Sequence, residues 1–166
     1  MTEHAPQLDL LTGAWNRDFF EIQLAHAVSR SHRAKSPLAL LYVDVDELQE
    51  QNDVHGAVAV DSTLAWVASQ ISEAVDGQGP IGRVDGGAFA VFLSDFTLQR
   101  ALRLAEQLRD RISRTKQGSA FPDYHLTVSV GVAALRRGEP CGNLLEAAEQ
   151  ACRRAKQGGR DSVAQR

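Results

Sequence analysis

The chain is poor in cysteine, in aromatic residues and in long apolar runs. Its 166 residues contain two cysteines, and aromatic residues make up 6% of the total. Cys141 and Cys152 form no C-x-x-C pair and have no histidine at zinc-ligand spacing, so the sequence indicates no structural zinc site. No apolar run approaches the roughly 20 residues that span a bilayer, and the N-terminus lacks the regions of a secretory signal. We therefore expect a cytoplasmic protein with no membrane partner.

An excess of charge of one sign is also missing. The net charge is −3, which argues against nucleic acid as a partner, since nucleic acid selects basic surfaces. Hydrophobic residues make up 43% and charged residues 23% of the chain, as is typical of a globular domain. The length suits one domain with a sizeable core. We interpret residues 1–8 as a lead-in and residues 9–166 as a single domain.

Helical and strand patterns alternate along this domain. Apolar residues at helical spacing predict helices over residues 19–32, 58–75, 97–116 and 143–157. Asn143 is a plausible N-cap for the last of these helices. Strands are predicted over residues 36–46 and 124–135 and on both sides of the two-glycine turn in RVDGGAFAVFL, residues 83–93. The order α-β-α-β-β-α-β-α predicts an α/β (α+β) fold with an antiparallel hairpin in the middle of the sheet.

Two acidic residues follow the first predicted strand. Asp44 and Asp46 are two residues apart, which places both carboxylates on one face of the strand. Paired oxygen ligands at a strand end suit Mg²⁺, which leaves room for substrate phosphates. An equally physical interpretation makes Asp46 a helix N-cap, with Gln49 as its partner in a capping box.

Two further pairs of polar residues have a functional and a structural interpretation each. The Asp61 carboxylate can accept hydrogen bonds from a guanine base, and the amide of Asn52 can serve the other polar atoms of the base. Asp61 is otherwise a solvated residue in the first turn of a helix. Lys156 and Arg160 lie on either side of a Gly-Gly break and can hold phosphates. They are otherwise the basic end of a helix, which the helix dipole favours.

Four ordered segments together resemble the GGDEF family, the diguanylate cyclase domains that condense two GTP into cyclic di-GMP. The segments are DLLTGAWNRDFF (9–20), PLALLYVDVDELQEQNDVHG (37–56), LTVSVGVAAL (126–135) and AEQACRRAKQGGRDSV (148–163). The resemblance covers about residues 9–163. It implies a five-stranded mixed sheet flanked by helices, as in nucleotidyl cyclase and polymerase palm domains. It also implies a metal ligand at Asp44, guanine contacts at Asn52 and Asp61, and phosphate contacts at Lys156 and Arg160.

The sequence departs from the family at its signature motif. Residues 85–89 read DGGAF where the family has G-G-D/E-E-F. Gly87 therefore stands where active members have a metal-binding carboxylate, and Ala88 where they have the acid tied to catalysis. Gln49 replaces a lysine that contacts the triphosphate, and Val60 replaces a glycine beside the base pocket. The inhibitory R-x-x-D motif is replaced by DGQG at residues 76–79.

These departures predict a catalytically inactive domain with a regulatory role in cyclic di-GMP signalling, with no catalytic residues. We expect it to bind GTP weakly or to bind a protein, either a second copy or another cyclic di-GMP signalling protein. We expect Mg²⁺ only together with bound GTP, and no inhibitory cyclic di-GMP site of the R-x-x-D type. One alternative is a pure interaction module with a collapsed nucleotide pocket, favoured by Gln49 and Val60. The other is an active diguanylate cyclase with a reorganised metal site, in which Asp85 substitutes for the missing acid.

Overall fold

The computed structural model of the protein describes residues 7–115 and 124–166. The helices of this part are α1 (Arg17–Ala34), α2 (Leu48–His55), α3 (Ala57–Val75), α4 (Leu98–Arg114) and α5 (Cys141–Gln157). Its strands are β1 (Leu38–Val45), β2 (Ile81–Asp85), β3 (Ala88–Ser94), β4 (Val128–Ala134) and β5 (Val163–Gln165). None of the helices described is long and apolar enough to cross a membrane.

The strands form one mixed sheet in the order β2-β3-β1-β4-β5. β5 runs parallel to β4, and the other neighbouring strands are antiparallel. The predicted five-stranded mixed sheet is confirmed. The hairpin of β2 and β3 lies at one end of the sheet and not in its middle, because β1 pairs with β3 on one side and with β4 on the other. Leu41, for example, is opposite both Val91 and Val132.

Helices cover both faces of the sheet, so the domain has three layers. The side chains of β1 alternate: Leu41 and Val43 belong to the core under α3 and α4, while Leu40 and Tyr42 belong to the core under α1 and α5. Both cores are apolar and almost free of solvent. Asp44 follows the second set and therefore lies on the face covered by α1 and α5.

The close packing of α5 on β4 depends on a glycine. A Cβ atom at Gly131 would lie 2.0 Å from the carbonyl oxygen of Ala148 and 2.4 Å from the backbone nitrogen of Cys152. Only a residue without a side chain lets the two backbones approach so closely. This contact fixes α5 against the sheet, and the last turn of α5 then carries Lys156 to the end of β1.

Two elements were not predicted, and one predicted helix cap was wrong. The helix α2 was not predicted, since its residues are mostly polar and Gln51 alone is buried. It stops at Gly56, whose φ of 82° also allows α3 to begin at the next residue. The three-residue strand β5 is too short to leave a pattern. Asn143 is not an N-cap, because α5 begins at Cys141 with Pro140 in the cap position.

Candidate functional site

The turn of the β2–β3 hairpin lies beside the end of β1. Asp44 is directly opposite Ala88, and the backbone N–H of Val45 donates to the carbonyl of Gly87 at 3.0 Å. A Cβ atom at Gly87 would lie 3.8 Å from the Oδ1 atom of Asp44. A side chain at position 87 would therefore begin beside the Asp44 carboxylate, and glycine supplies none. Ala88 is buried against the core under α1 and α5.

Hydrogen bonds join the N-terminal part of the domain to this hairpin. The Arg83 guanidinium donates to the carbonyl of Gly86 at 2.7 Å and to the Asp9 carboxylate at 3.2 Å. Asp9 also accepts hydrogen bonds from the backbone and the hydroxyl of Thr12. Burial raises the pKa of Asp9, but the hydrogen bonds from Thr12 and the charge of Arg83 outweigh it, so this pKa lies below its ordinary value. A second arginine, Arg17, donates to a hairpin carbonyl at 2.8 Å.

The ammonium group of Lys156 joins both acidic residues of β1. Its Nζ atom lies 3.2 Å from Oδ1 of Asp46 and 3.6 Å from Oδ1 of Asp44. It also donates to the backbone carbonyl of Val45 at 3.2 Å. The two carboxylates therefore lie on one face, as their spacing along the strand predicted, and both face one cation. The lysine comes from α5, more than a hundred residues further along the chain.

Asp46 is a structural residue at the centre of a hydrogen-bond network. It is 1% exposed, and it accepts from the hydroxyls of Thr127 and Ser129 at 2.7 Å each. The backbone N–H of Asp161 donates to it at 3.1 Å, in addition to the bond from Lys156. With so many donors around it, this carboxylate has no oxygen face turned towards solvent.

The capping-box interpretation of Asp46 is wrong. The residue at the N-cap of α2 is Glu47, with a φ of 56° and no side-chain capping bond. Gln49 instead donates to Asp53 one turn further along the helix, at 3.2 Å. Asp46 does not cap the helix because its carboxylate oxygens accept hydrogen bonds from Thr127, Ser129 and the other donors of the buried network.

The remaining oxygens do not form a magnesium site by themselves. Mg²⁺ is usually held by one or two carboxylates together with waters and substrate phosphates. The end of β1 offers the Asp44 carboxylate and the Val45 carbonyl, both in contact with the Lys156 ammonium. Asp85 lies at the end of β2, where its Oδ1 atom accepts a hydrogen bond from the N–H of Gly86 at 2.8 Å. Among residues 7–115 and 124–166, no three histidine, cysteine or acidic side chains are grouped to hold a metal ion. The Lys156 ammonium therefore lies beside both carboxylates at the end of β1.

The electrostatic environment of Asp44 disfavours further negative charge. Burial raises the pKa of the Asp44 carboxyl, Lys156 opposes this effect, and repulsion from Asp46 and Asp85 adds to it. Burial together with nearby acids likewise raises the pKa of the neighbouring Tyr42.

The other predicted site residues are Asn52, Asp61 and Arg160. They lie on the two helices that follow β1 and in the loop after α5. Asn52 is on α2 and Asp61 is in the second turn of α3, and both are exposed. Arg160 lies in the loop after α5 with a φ of 64°, and it is also exposed. The neighbouring Asp161 fixes this loop through its N–H bond to Asp46 and through an ion pair with Arg109 at 2.9 Å. The structure thus brings Lys156 and the Arg160 loop to the acidic end of β1.

Residues 7–162 match the family model described as the diguanylate cyclase GGDEF domain. The chain belongs to the GGDEF family. It is 29% identical over 164 residues to the diguanylate cyclase DosC of Escherichia coli, which covers 98% of this chain and 36% of DosC. The chain thus spans about a third of the length of such curated relatives.

Solved structures of the family have the same fold as this GGDEF domain. The GGDEF domain of DgcB from Caulobacter crescentus, solved with cyclic di-GMP, superposes with a TM-score of 0.91 at 27% identity, covering 99% of this chain and 96% of that one. The diguanylate cyclase SiaD from Pseudomonas aeruginosa, solved with its activator SiaC, gives a TM-score of 0.89 at 29% identity, covering 98% and 62% of the two chains.

Four residues that shape the end of β1 and the neighbouring hairpin turn were missed by the sequence analysis. Thr127, Ser129 and Asp161 hold Asp46, and a Cδ atom of Leu48 lies 2.5 Å from where a Cβ atom at Gly87 would be. Two of them left a signal in the sequence. Threonine and serine alternate with apolar residues in LTVSVGVAAL, and buried hydroxyls in a central strand need a partner.

Proposed function

We propose that this GGDEF domain is catalytically inactive and acts as a regulatory module in cyclic di-GMP signalling. The observation that carries the proposal is Gly87, which leaves Asp44 without a second carboxylate across the hairpin. Attack of a 3′-hydroxyl on an α-phosphate develops charge that bound metal ions normally offset. Here the Asp44 carboxylate and the Val45 carbonyl both contact Lys156.

A product assay tests this proposal directly. The purified protein is incubated with GTP and either Mg²⁺ or Mn²⁺, and cyclic di-GMP is measured by mass spectrometry beside an active diguanylate cyclase. We expect no cyclic di-GMP. Product that forms with the native chain and disappears in Asp44→Asn would overturn the proposal and support the cyclase with a reorganised metal site.

The nucleotide we propose for the site is GTP, recognised through its base. The side chains of Asn52 and Asp61 are exposed, and within the described residues neither makes a hydrogen bond or an ion pair. They are therefore available to a ligand. Lys156 is not available to the same degree, because it is bound by two carboxylates and a carbonyl. Binding is therefore weak, because the protein recognises the guanine base but makes few contacts with the triphosphate.

Calorimetric titration separates these two contributions. GTP, GMP and ATP are titrated into the protein with Mg²⁺ present. We expect GTP and GMP to bind with similar affinity, because the phosphates add little, and ATP not to bind. Asn52→Ala should abolish the heat, while Glu50→Ala, an exposed residue on the same helix, should retain it. Equal binding of ATP and GTP would refute recognition through the base.

A protein partner is the second candidate, favoured by exposed apolar side chains at the corner between α2 and α3. Val54 is 75% and Val58 is 82% exposed, and apolar residues grouped on a surface typically mark an interaction site. The partner we propose is a second copy or another cyclic di-GMP signalling protein. Light scattering of the native chain and of Val58→Ser tests self-association. A monomer at all concentrations would exclude the second copy.

A further inference from the structure

A basic cavity lies at the opposite end of the sheet from Asp44. It has a volume of about 480 Å³ and is formed where α1 ends, β1 begins and β4 ends. His32 and Lys35 line it from one side, Arg136 and Arg137 from the other. Because strands rise about 3.3 Å per residue, the length of β1 separates this cavity from Asp44 by roughly 23 Å. It is therefore independent of the candidate nucleotide site.

The cations of this cavity are exposed, and a nearby acid balances their charge only in part. Lys35, Arg136 and Arg137 are exposed, and the described part of the chain provides no ion pair for any of them. The nearest acid, Glu139, is paired with the guanidinium of Arg166 and also accepts a hydrogen bond from the backbone N–H of Arg136 at 2.9 Å. The hydrogen bond from Arg166, with smaller contributions from Arg136, holds the pKa of Glu139 below its ordinary value. Three positive charges are thus concentrated in one cavity of a chain whose net charge is −3.

The walls of the cavity are held by hydrogen bonds. The Nε2 atom of His32 donates to the carbonyl of Glu139 at 2.9 Å, which ties the end of α1 to the loop after β4. The hydroxyl of Ser31 donates to the carbonyl of Ser36, which fixes the turn that carries Lys35. These bonds hold the backbone segments that carry Lys35, Arg136 and Arg137 close to one another.

The dipole of α1 explains only part of this charge. Basic residues favour the last turn of a helix, and this accounts for His32, Arg33 and the Lys35 cap. Arg136 and Arg137 belong to no helix, since they follow β4 directly in the loop before α5. Cations from two separate elements therefore converge on the same space, and the dipole of one helix does not require this.

We propose that this cavity binds a small molecule through a phosphate or pyrophosphate group. Guanidinium groups match phosphate oxygens in geometry as well as in charge. The lining contains no carboxylate that would repel the ligand, and its one aromatic ring, His32, is tied to the carbonyl of Glu139 by a hydrogen bond. The phosphate is therefore the recognised feature. The volume lies within the range of about 300–1,000 Å³ that is usual for small-molecule sites.

Calorimetric titration with inorganic pyrophosphate at low ionic strength tests this site. We expect saturable binding to the native chain, and a loss of affinity of about tenfold or more in the double variant Arg136→Ala/Arg137→Ala, because two charge-assisted contacts are removed. The matched control is Arg114→Ala/Arg153→Ala, which removes the same charge from two highly exposed side chains elsewhere. This control should bind pyrophosphate as the native chain does.

Other outcomes refute the proposal. No saturable binding by the native chain means that the cavity does not recognise phosphate. Equal losses in both double variants mean unspecific attraction by net charge. Binding of a poly-glutamate peptide that pyrophosphate does not displace means that the surface serves an acidic protein segment. Asp44→Asn belongs in the same series, since an effect of that variant would assign the heat to the nucleotide corner.

Discussion

Replacing Asp46 with asparagine should destabilise the fold strongly, whereas the same change at Asp44 should not. Asp46 is buried, and its carboxylate accepts from two hydroxyls, one backbone N–H and the Lys156 ammonium. An asparagine side chain keeps the shape, but it loses the charge that faces the lysine and turns an NH₂ group towards donors. Removing one partner of a buried charge pair costs about 3–5 kcal/mol. Since an amide retains some of the hydrogen bonds, we expect a loss of about 3 kcal/mol.

The assay is thermal unfolding followed by circular dichroism at neutral pH. For a domain of this size, 1 kcal/mol corresponds to about 2–4 °C, so Asp46→Asn should lower Tm by roughly 6–12 °C. Asp44→Asn is the control. Burial raises the pKa of Asp44 in the fold, so its ionised form is less stable in the folded than in the unfolded chain. A neutral amide should therefore leave Tm equal or slightly higher. An unchanged Tm in Asp46→Asn, or a larger loss in Asp44→Asn, would refute this reasoning.

Three further predictions concern packing and thiol reactivity. Gly87→Ala should lower the free energy of unfolding by about 1–2 kcal/mol, because its Cβ would lie 2.5 Å from a Cδ atom of Leu48. Denaturant titration should show that this loss disappears when Leu48→Ala is also present. Gly131→Ala should cost about 3 kcal/mol or more, because its Cβ meets backbone that has no room to move; near-native stability in urea would contradict the packing of α5 on β4. Burial raises the pKa of Cys152 to about 12. Ellman's reagent at pH 8 should therefore label one thiol, Cys141, in the native protein and two thiols in denaturant. Rapid labelling of both thiols in the native state would contradict the burial of Cys152 and show that α5 opens.

The sequence predicts the larger elements because each has a repeating apolar pattern. The helix α4 and the strand β1 are clear examples, with burial at helical spacing in one and throughout the strand in the other. The helix α2 has no such pattern, because the one residue that it buries, Gln51, is polar and is held by a hydrogen bond to Tyr124 at 2.7 Å.

The candidate site is less predictable, because its residues come from distant parts of the chain. The spacing of Asp44 and Asp46 indicates a shared face, but it does not indicate that a lysine from α5 lies between them. Nor does it distinguish their roles, since Asp46 differs from Asp44 only through the donors that β4 and the Asp161 loop bring to it. A resemblance finds these positions, and coordinates are needed to separate the structural acid from the accessible one.

The central position of β1 has a consequence for synthesis on the ribosome. Leu41 pairs with Val91 on one side and with Val132 on the other, partners that are translated long after it. Until β4 has left the exit tunnel, an almost wholly apolar strand has at least one open edge, which makes the nascent chain prone to aggregation. Loop closure over such separations also slows folding relative to helical domains of equal length. The native sheet therefore assembles late, and its centre is the part of the nascent chain that chaperones have most reason to protect.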